Sequence, residues 1–195
     1  MIKGKIGVGV EGPSDLQFWD KVLPKHLQGW QFDIRNMKNR DKLVRAVPDL
    51  YEEFRNLKRQ AAFVLLGSDK SPCVCEMLGF FDARILAEAK KPLTTRYLHL
   101  CVAVKRLECW YLADPDGINR LFPGSNYQSP ADTSILHGKH EIEKMLKAHS
   151  KQPVGYNEIE FAKSFAPLFA PNRAERHSVS FRYYWRRISA VCQSQ

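Results

Sequence analysis

The stretch Ile6-Gly7-Val8-Gly9-Val10-Glu11-Gly12-Pro13-Ser14-Asp15-Leu16-Gln17-Phe18-Trp19 decides the fold. Lys5 to Val10 is short, rich in β-branched residues and bounded by turn formers, the pattern of a buried strand. Pro13 then suits the first turn of a helix, where its missing N–H costs nothing, and Leu16, Trp19 and Leu23 recur at helical spacing as far as Pro24. A strand that ends on a carboxylate and turns at once into a helix has the form of a holding site.

Working outward, Trp30, Phe32 and Ile34 alternate with polar residues as in a second strand. Val44, Val47, Leu50, Tyr51, Phe54 and Leu57 mark an amphipathic helix, with Pro48 expected to divide or kink it. Ala62 to Leu66 is an unbroken apolar run, the mark of a strand covered on both faces, and it ends in Gly67-Ser68-Asp69. A helix carrying Met77, Leu78, Phe81, Ile85 and Leu86 and a strand from Leu98 to Val104 complete a β-α-β-α-β-α-β order. That order predicts an α/β fold, a parallel or mixed sheet flanked by helices. After Asp114-Pro115-Asp116-Gly117 only helical patterns and a loop at 123–130 follow. The expected organisation is an α/β core over residues 1–115 and a helical extension, 116–195, packed on it.

The chain of 195 residues can bury a proper core without metals or disulfides. Its formal charge of +9 suits a partner that carries phosphates. Cys73, Cys75, Cys101, Cys109 and Cys192 show no zinc spacing and read as structural thiols. With no secretory leader pattern and no run of about 20 apolar residues, the expectation is a cytoplasmic protein with no membrane segment.

Three acids occupy strand exits: Glu11 directly after the first strand, Asp69 three residues past Leu66, and Glu108 four past Val104. In open α/β sheets, ligands gather at the carboxyl ends of the strands. Carboxylates meeting there repel one another unless a cation neutralises them, and oxygen donors favour Mg²⁺ or Mn²⁺. An ion so held would support phosphoryl chemistry. Taken singly, each acid has a plainer reading. Glu11 and Asp15 could complement a helix N-terminus, worth about 0.3–1 kcal/mol; Asp69 could be a cap or turn residue; and Glu108 could pair with Lys105 or Arg106 on the surface. Their joint placement carries the metal reading.

The segment Val10-Glu11-Gly12-Pro13-Ser14-Asp15 resembles the V-E-G-x-x-D motif of the Toprim fold. The wider pattern is closer to the Toprim-related family of domain of unknown function 4276, through "FVLLGSDKSPC", "VAVKRLECWYLADP" and the Ser-x-Ser-Phe block of "SVSFRYYWRRI". The resemblance implies a Toprim-like sheet and a Mg²⁺- or Mn²⁺-dependent nuclease acting on DNA or RNA. It further implies an effector of bacterial anti-phage defence, partnered with an ATPase of the ABC kind found with overcoming-lysogenisation-defect nucleases. Glu11 would be general base or metal ligand, Asp69 and Glu108 metal ligands, and Asp15, Gly12 and Lys70 supporting residues. Toprim proteins usually end the relevant strand in Asp-x-Asp, and here Gly67 stands at the first position. The alternative is therefore a catalytically silent Toprim-shaped subunit that binds nucleic acid or docks to the ATPase.

Near the C-terminus, Arg182, Arg186 and Arg187 are candidates for phosphate contact, and Phe181, Tyr184, Trp185 and Ile188 read as the buried stripe of the last helix. His137-Gly138-Lys139-His140 reads as a loop and helix start, and Ser178 or Ser180 as a helix cap.

Overall fold

The computed structural model describes residues 2–68, 79, 83, 96–149 and 155–194. β1 (Gly4–Val10), α1 (Pro13–His26), β2 (Trp30–Asn36), α2 (Arg40–Asn56), β3 (Ala61–Gly67) and β4 (Leu98–Ala103) follow in chain order. The strands form a four-stranded sheet in the order β2-β1-β3-β4, with every pairing parallel. The expected helix around Met77 to Leu86 lies outside the described residues, apart from Gly79 and Ala83.

Strand side chains alternate between two packed layers, as the period of two requires. Ile6, Val8, Val10, Phe63 and Leu65 enter one core with Phe18, Trp19 and the C-terminal helices, while Val64, Leu66 and Val102 enter a second with Leu43, Val47, Leu50 and Phe54 of α2. In β1 the second face carries exposed Lys5 and, against the core, only Gly7 and Gly9. A Cβ on Gly7 would sit 2.3 Å from the Phe54 ring, so the glycine is the notch that receives α2. Gly7→Ala is expected to destabilise the protein by about 1–3 kcal/mol through overpacking, read as a lowered thermal midpoint.

Two helices run further than the sequence suggests. α1 continues through Pro24 to His26, and α2 runs unbroken through a buried Pro48. Pro24 stands in the last turn of α1, where little of the ladder remains to be lost; at Pro48, burial against β1 and β3 outweighs local propensity.

Beyond β4 come α3 (Leu107–Leu112), α4 (Pro115–Leu121), α5 (Gly138–His149), α6 (Glu158–Phe165), α7 (Pro171–Ala174) and α8 (Val179–Gln193). Their apolar faces share the α1 core. The C-terminal end of α6 is gripped by α1: Lys21 Nζ donates to the Lys163 carbonyl, Lys25 Nζ to that of Pro167, and His26 Nε2 lies 3.1 Å from that of Phe169. The two lysines bring positive charge to carbonyls at and just past the helix end and suit the negative end of its dipole, whereas burial lowers the His26 pKa and disfavours its charged form. Among the described residues, no helix is long and apolar enough to cross a membrane.

Candidate functional site

The strand order places the reversal of winding between β1 and β3. Ligands of open parallel sheets bind in the crevice beyond that point. Glu11 stands there, and its Oε1 accepts the N–H of Gly67 at 2.6 Å, bridging the ends of both strands. A Cβ on Gly67 would lie 3.2 Å from the Lys105 carbonyl oxygen and 3.7 Å from Glu11 Oε1. The glycine thus lets the chain close over Glu11. An aspartate at 67 would press a second carboxylate against the first.

Buried Ser68 joins the exits of β3 and β4, its N–H donating to Ala103 O and its Oγ accepting from Lys105 N at 2.6 Å. Lys105 holds φ at 63°, a left-handed conformation that costs a lysine about 1–2 kcal/mol. Its ammonium donates to the carbonyls of Ile135 and Leu136, which helps hold the turn. That turn delivers Glu108 onto the first turn of α3.

Glu108 is only 6% exposed, and its Oε1 accepts the Tyr156 hydroxyl at 3.1 Å. It is a buried acid, not a partner in a surface ion pair. Burial is the main cause that raises its carboxyl above the usual range; Glu158 adds to this and the Tyr156 bond opposes it. Asp15, in the first turn of α1, accepts the Gly12 N–H at 3.0 Å. Its carboxyl is pushed up to about 7, chiefly by burial, with the Gly12 bond opposing and the charges of Glu11 and Glu108 adding.

Glu11, Asp15 and Glu108 line one cavity of about 930 Å³, walled in part by Trp19, Trp110 and Tyr111. Among the described residues, no three of His, Cys, Asp and Glu stand close enough to hold a metal ion by themselves. Asp69 and Lys70, next along the chain from Ser68, lie outside the described residues, as do Cys73 and Cys75. The donors present are all carboxylate oxygens, which fit a hard divalent cation such as Mg²⁺ or Mn²⁺. The raised Asp15 carboxyl owes most to burial, with the charges of Glu11 and Glu108 as smaller additions.

The displaced Asp15 has a thermodynamic consequence. In the folded protein it keeps its proton at pH values where the unfolded chain, with an ordinary value of 3.8, has already released it. Its contribution to stability is therefore full at low pH and is lost as pH rises from about 4 to about 7. In chelator-treated protein the loss is expected to be about 2–4 kcal/mol. Thermal melts of Asp15→Asn across this window should be flatter than those of the wild type.

The motif segments meet beneath the cavity. Trp19 of α1, Trp110 of α3 and Phe181 and Tyr184 of α8 form one ring cluster, with centroids 4.9 to 6.5 Å apart. Ser178 caps α8 by accepting the Phe181 N–H, and Ser180 Oγ accepts the Trp110 indole N–H at 2.8 Å. The aromatics of α8 are core residues except Tyr183, which is exposed. Arg182 donates to the Glu175 carbonyl, Arg186 pairs with the Glu175 carboxylate, and Arg187 lies over the Tyr183 ring. None of the three arginines lines the cavity.

Two features escaped sequence reasoning. Tyr156 orients Glu108 from 48 residues away, and nothing local in the sequence announces it. The cavity wall beyond β2 carries Lys38, Lys42 and Arg45. Lys38, two residues past β2, occupies a strand exit as Glu11 does, whereas Lys42 and Arg45 stand on α2 and carry no such signal.

In structure, the C-terminal region of the Burkholderia pseudomallei OLD protein is similar over 97% of this chain and 100% of that one, with 14% identity and a TM-score of 0.48. No curated protein matches the chain. The family model described as Domain of unknown function (DUF4276) matches residues 10–189, a span that takes in Glu11, the cavity walls and the aromatic cluster. The chain belongs to that family.

Proposed function

We propose that the protein is a metal-dependent phosphodiesterase that cleaves DNA or RNA. The observation that supports this most is Glu11, fixed in the β1/β3 crevice by the Gly67 amide and sharing one cavity with Asp15, Glu108 and a basic wall. Glu11 and Glu108, with Asp69, would hold Mg²⁺ or Mn²⁺. Such an ion, when bound, polarises a phosphodiester and lowers the pKa of water. The chain's own groups do the rest. The Gly67 N–H orients Glu11 as ligand or general base, the Tyr156 hydroxyl orients Glu108, and Asp15, near 7, holds a proton in part of the population at neutral pH. Trp19, Trp110 and Tyr111 exclude water from one side. By its Toprim resemblance, the protein would serve as the nuclease of an anti-phage complex with an ABC- or OLD-type ATPase.

Gly67 in place of an aspartate favours a second reading, a silent subunit that binds nucleic acid or the ATPase. Incubation of DNA and RNA with the protein and Mg²⁺ or Mn²⁺ separates the two. Cleavage lost in both Glu11→Ala and Glu108→Ala supports the enzyme. A folded wild type that binds nucleic acid but cuts none, with or without the ATPase, supports the silent subunit. Crystals soaked in Mn²⁺ should show anomalous density among Glu11, Asp69 and Glu108.

A further inference from the structure

β1 and β2 leave the sheet side by side, with Val10 paired in register with Asn36. One step on, β1 presents an acid, Glu11, and two steps beyond Asn36 the neighbouring strand presents a base, Lys38. The β2 exit is docked on β1 by Met37 N–H, which donates to Val10 O at 3.0 Å, and is closed locally by Lys38 N–H, which donates to Asn36 Oδ1 at 2.8 Å. This holds Lys38 at φ 73°, a left-handed conformation that costs a lysine about 1–2 kcal/mol. Residues 38–45 carry four cations, Lys38, Arg40, Lys42 and Arg45, against one carboxylate, Asp41. Lys38, Lys42 and Arg45 are exposed and line the cavity that holds Glu11. Among the described residues, no carboxylate makes an ion pair with these three side chains. Lys42 and Arg45, three apart on α2, share a face with Cβ atoms about 5–6 Å apart.

From this juxtaposition we infer that the β2–α2 segment is the track for a polynucleotide backbone, with Lys38, Lys42 and Arg45 contacting successive phosphates as the strand enters the cavity. The inference rests on the phosphodiesterase reading for the fate of the strand but not for its binding. Three cations that make no ion pair among the described residues exceed what a single phosphate needs, and a cavity of about 930 Å³ has room for more than one nucleotide. Phosphate contacts of this kind set position and affinity without reading sequence. Sharing the cavity with the carboxylates, they would also hold a polyanion against the repulsion of Glu11 and Glu108.

The test is binding of a fluorescent 20-nucleotide oligothymidylate in EDTA, where no cleavage intervenes, over a range of salt. Lys38→Ala/Lys42→Ala/Arg45→Ala is expected to weaken binding at least tenfold and to make the salt slope shallower by about 2, near 0.7 for each single-strand phosphate contact. Arg182→Ala/Arg186→Ala/Arg187→Ala removes the same charge from α8 and is expected to cost less. Lys38, Lys42 and Arg45 are exposed, so circular dichroism and thermal melting of their triple variant should match the wild type. Wild-type affinity in the triple variant, an equal or larger loss in the α8 variant, or thymidine monophosphate binding as tightly as the oligomer would each overturn the inference. If the protein binds through this track yet never cleaves with Mn²⁺, the inference stands and the phosphodiesterase reading falls.

Discussion

Glutamine in place of Glu11 is expected to lower cleavage of DNA or RNA by about 10²–10⁴-fold, the range for loss of a general base, while the protein stays folded. The reason lies in the bond to Gly67. The side-chain carbonyl of glutamine can still accept that N–H, so the link between β1 and β3 survives while the negative charge goes. Alanine is a less clean probe. It also leaves the Gly67 N–H without its acceptor, a defect that costs about 1–3 kcal/mol when water cannot replace it. Single-turnover rates with Mn²⁺, measured beside thermal melts, separate the two effects. A Glu11→Gln variant that cuts within tenfold of the wild type would remove Glu11 from the chemistry.

The second large effect concerns Arg173. Asp114, fully buried at the N-cap of α4, accepts from Arg173 Nε at 2.5 Å and Nη2 at 2.9 Å, from Ala170 N at 2.7 Å and from Gly117 N at 3.1 Å. Arg173→Ala would leave that carboxylate buried with two amides and no counter-charge. Breaking such a pair from one side costs about 3–5 kcal/mol, or roughly 10 °C in the thermal midpoint of a chain this long. Asp114→Asn/Arg173→Met removes both charges together and should cost less than the sum of the single changes. Additive losses in that cycle would show that the pair is not coupled.

The sheet was legible because each strand carries its own local signal. Lys5–Val10 and Ala62–Leu66 are bounded apolar runs, and four strands separated by helical patterns have few ways to pair. Glu11 and Glu108 were legible as strand-exit acids, since topology alone brings those exits to one edge. Side chains that meet across long separations left no trace. Tyr156 reaches Glu108 across 48 residues and Arg173 reaches Asp114 across 59. In the sequence Arg173 is one more cation in a basic tail, and Asp114 one more turn former. Only packing shows that the two form an internal ion pair.

The grip of Lys21, Lys25 and His26 on the carbonyls at and just past the end of α6 ties together two helices that lie far apart along the chain. Tyr156 lies just upstream of α6, so the Glu108 pocket closes only when this distant segment docks. Parallel pairing and distant contacts slow folding. Recovery of activity after denaturant dilution should therefore lag the return of sheet signal, with the interval set by docking of the carboxy-terminal helices.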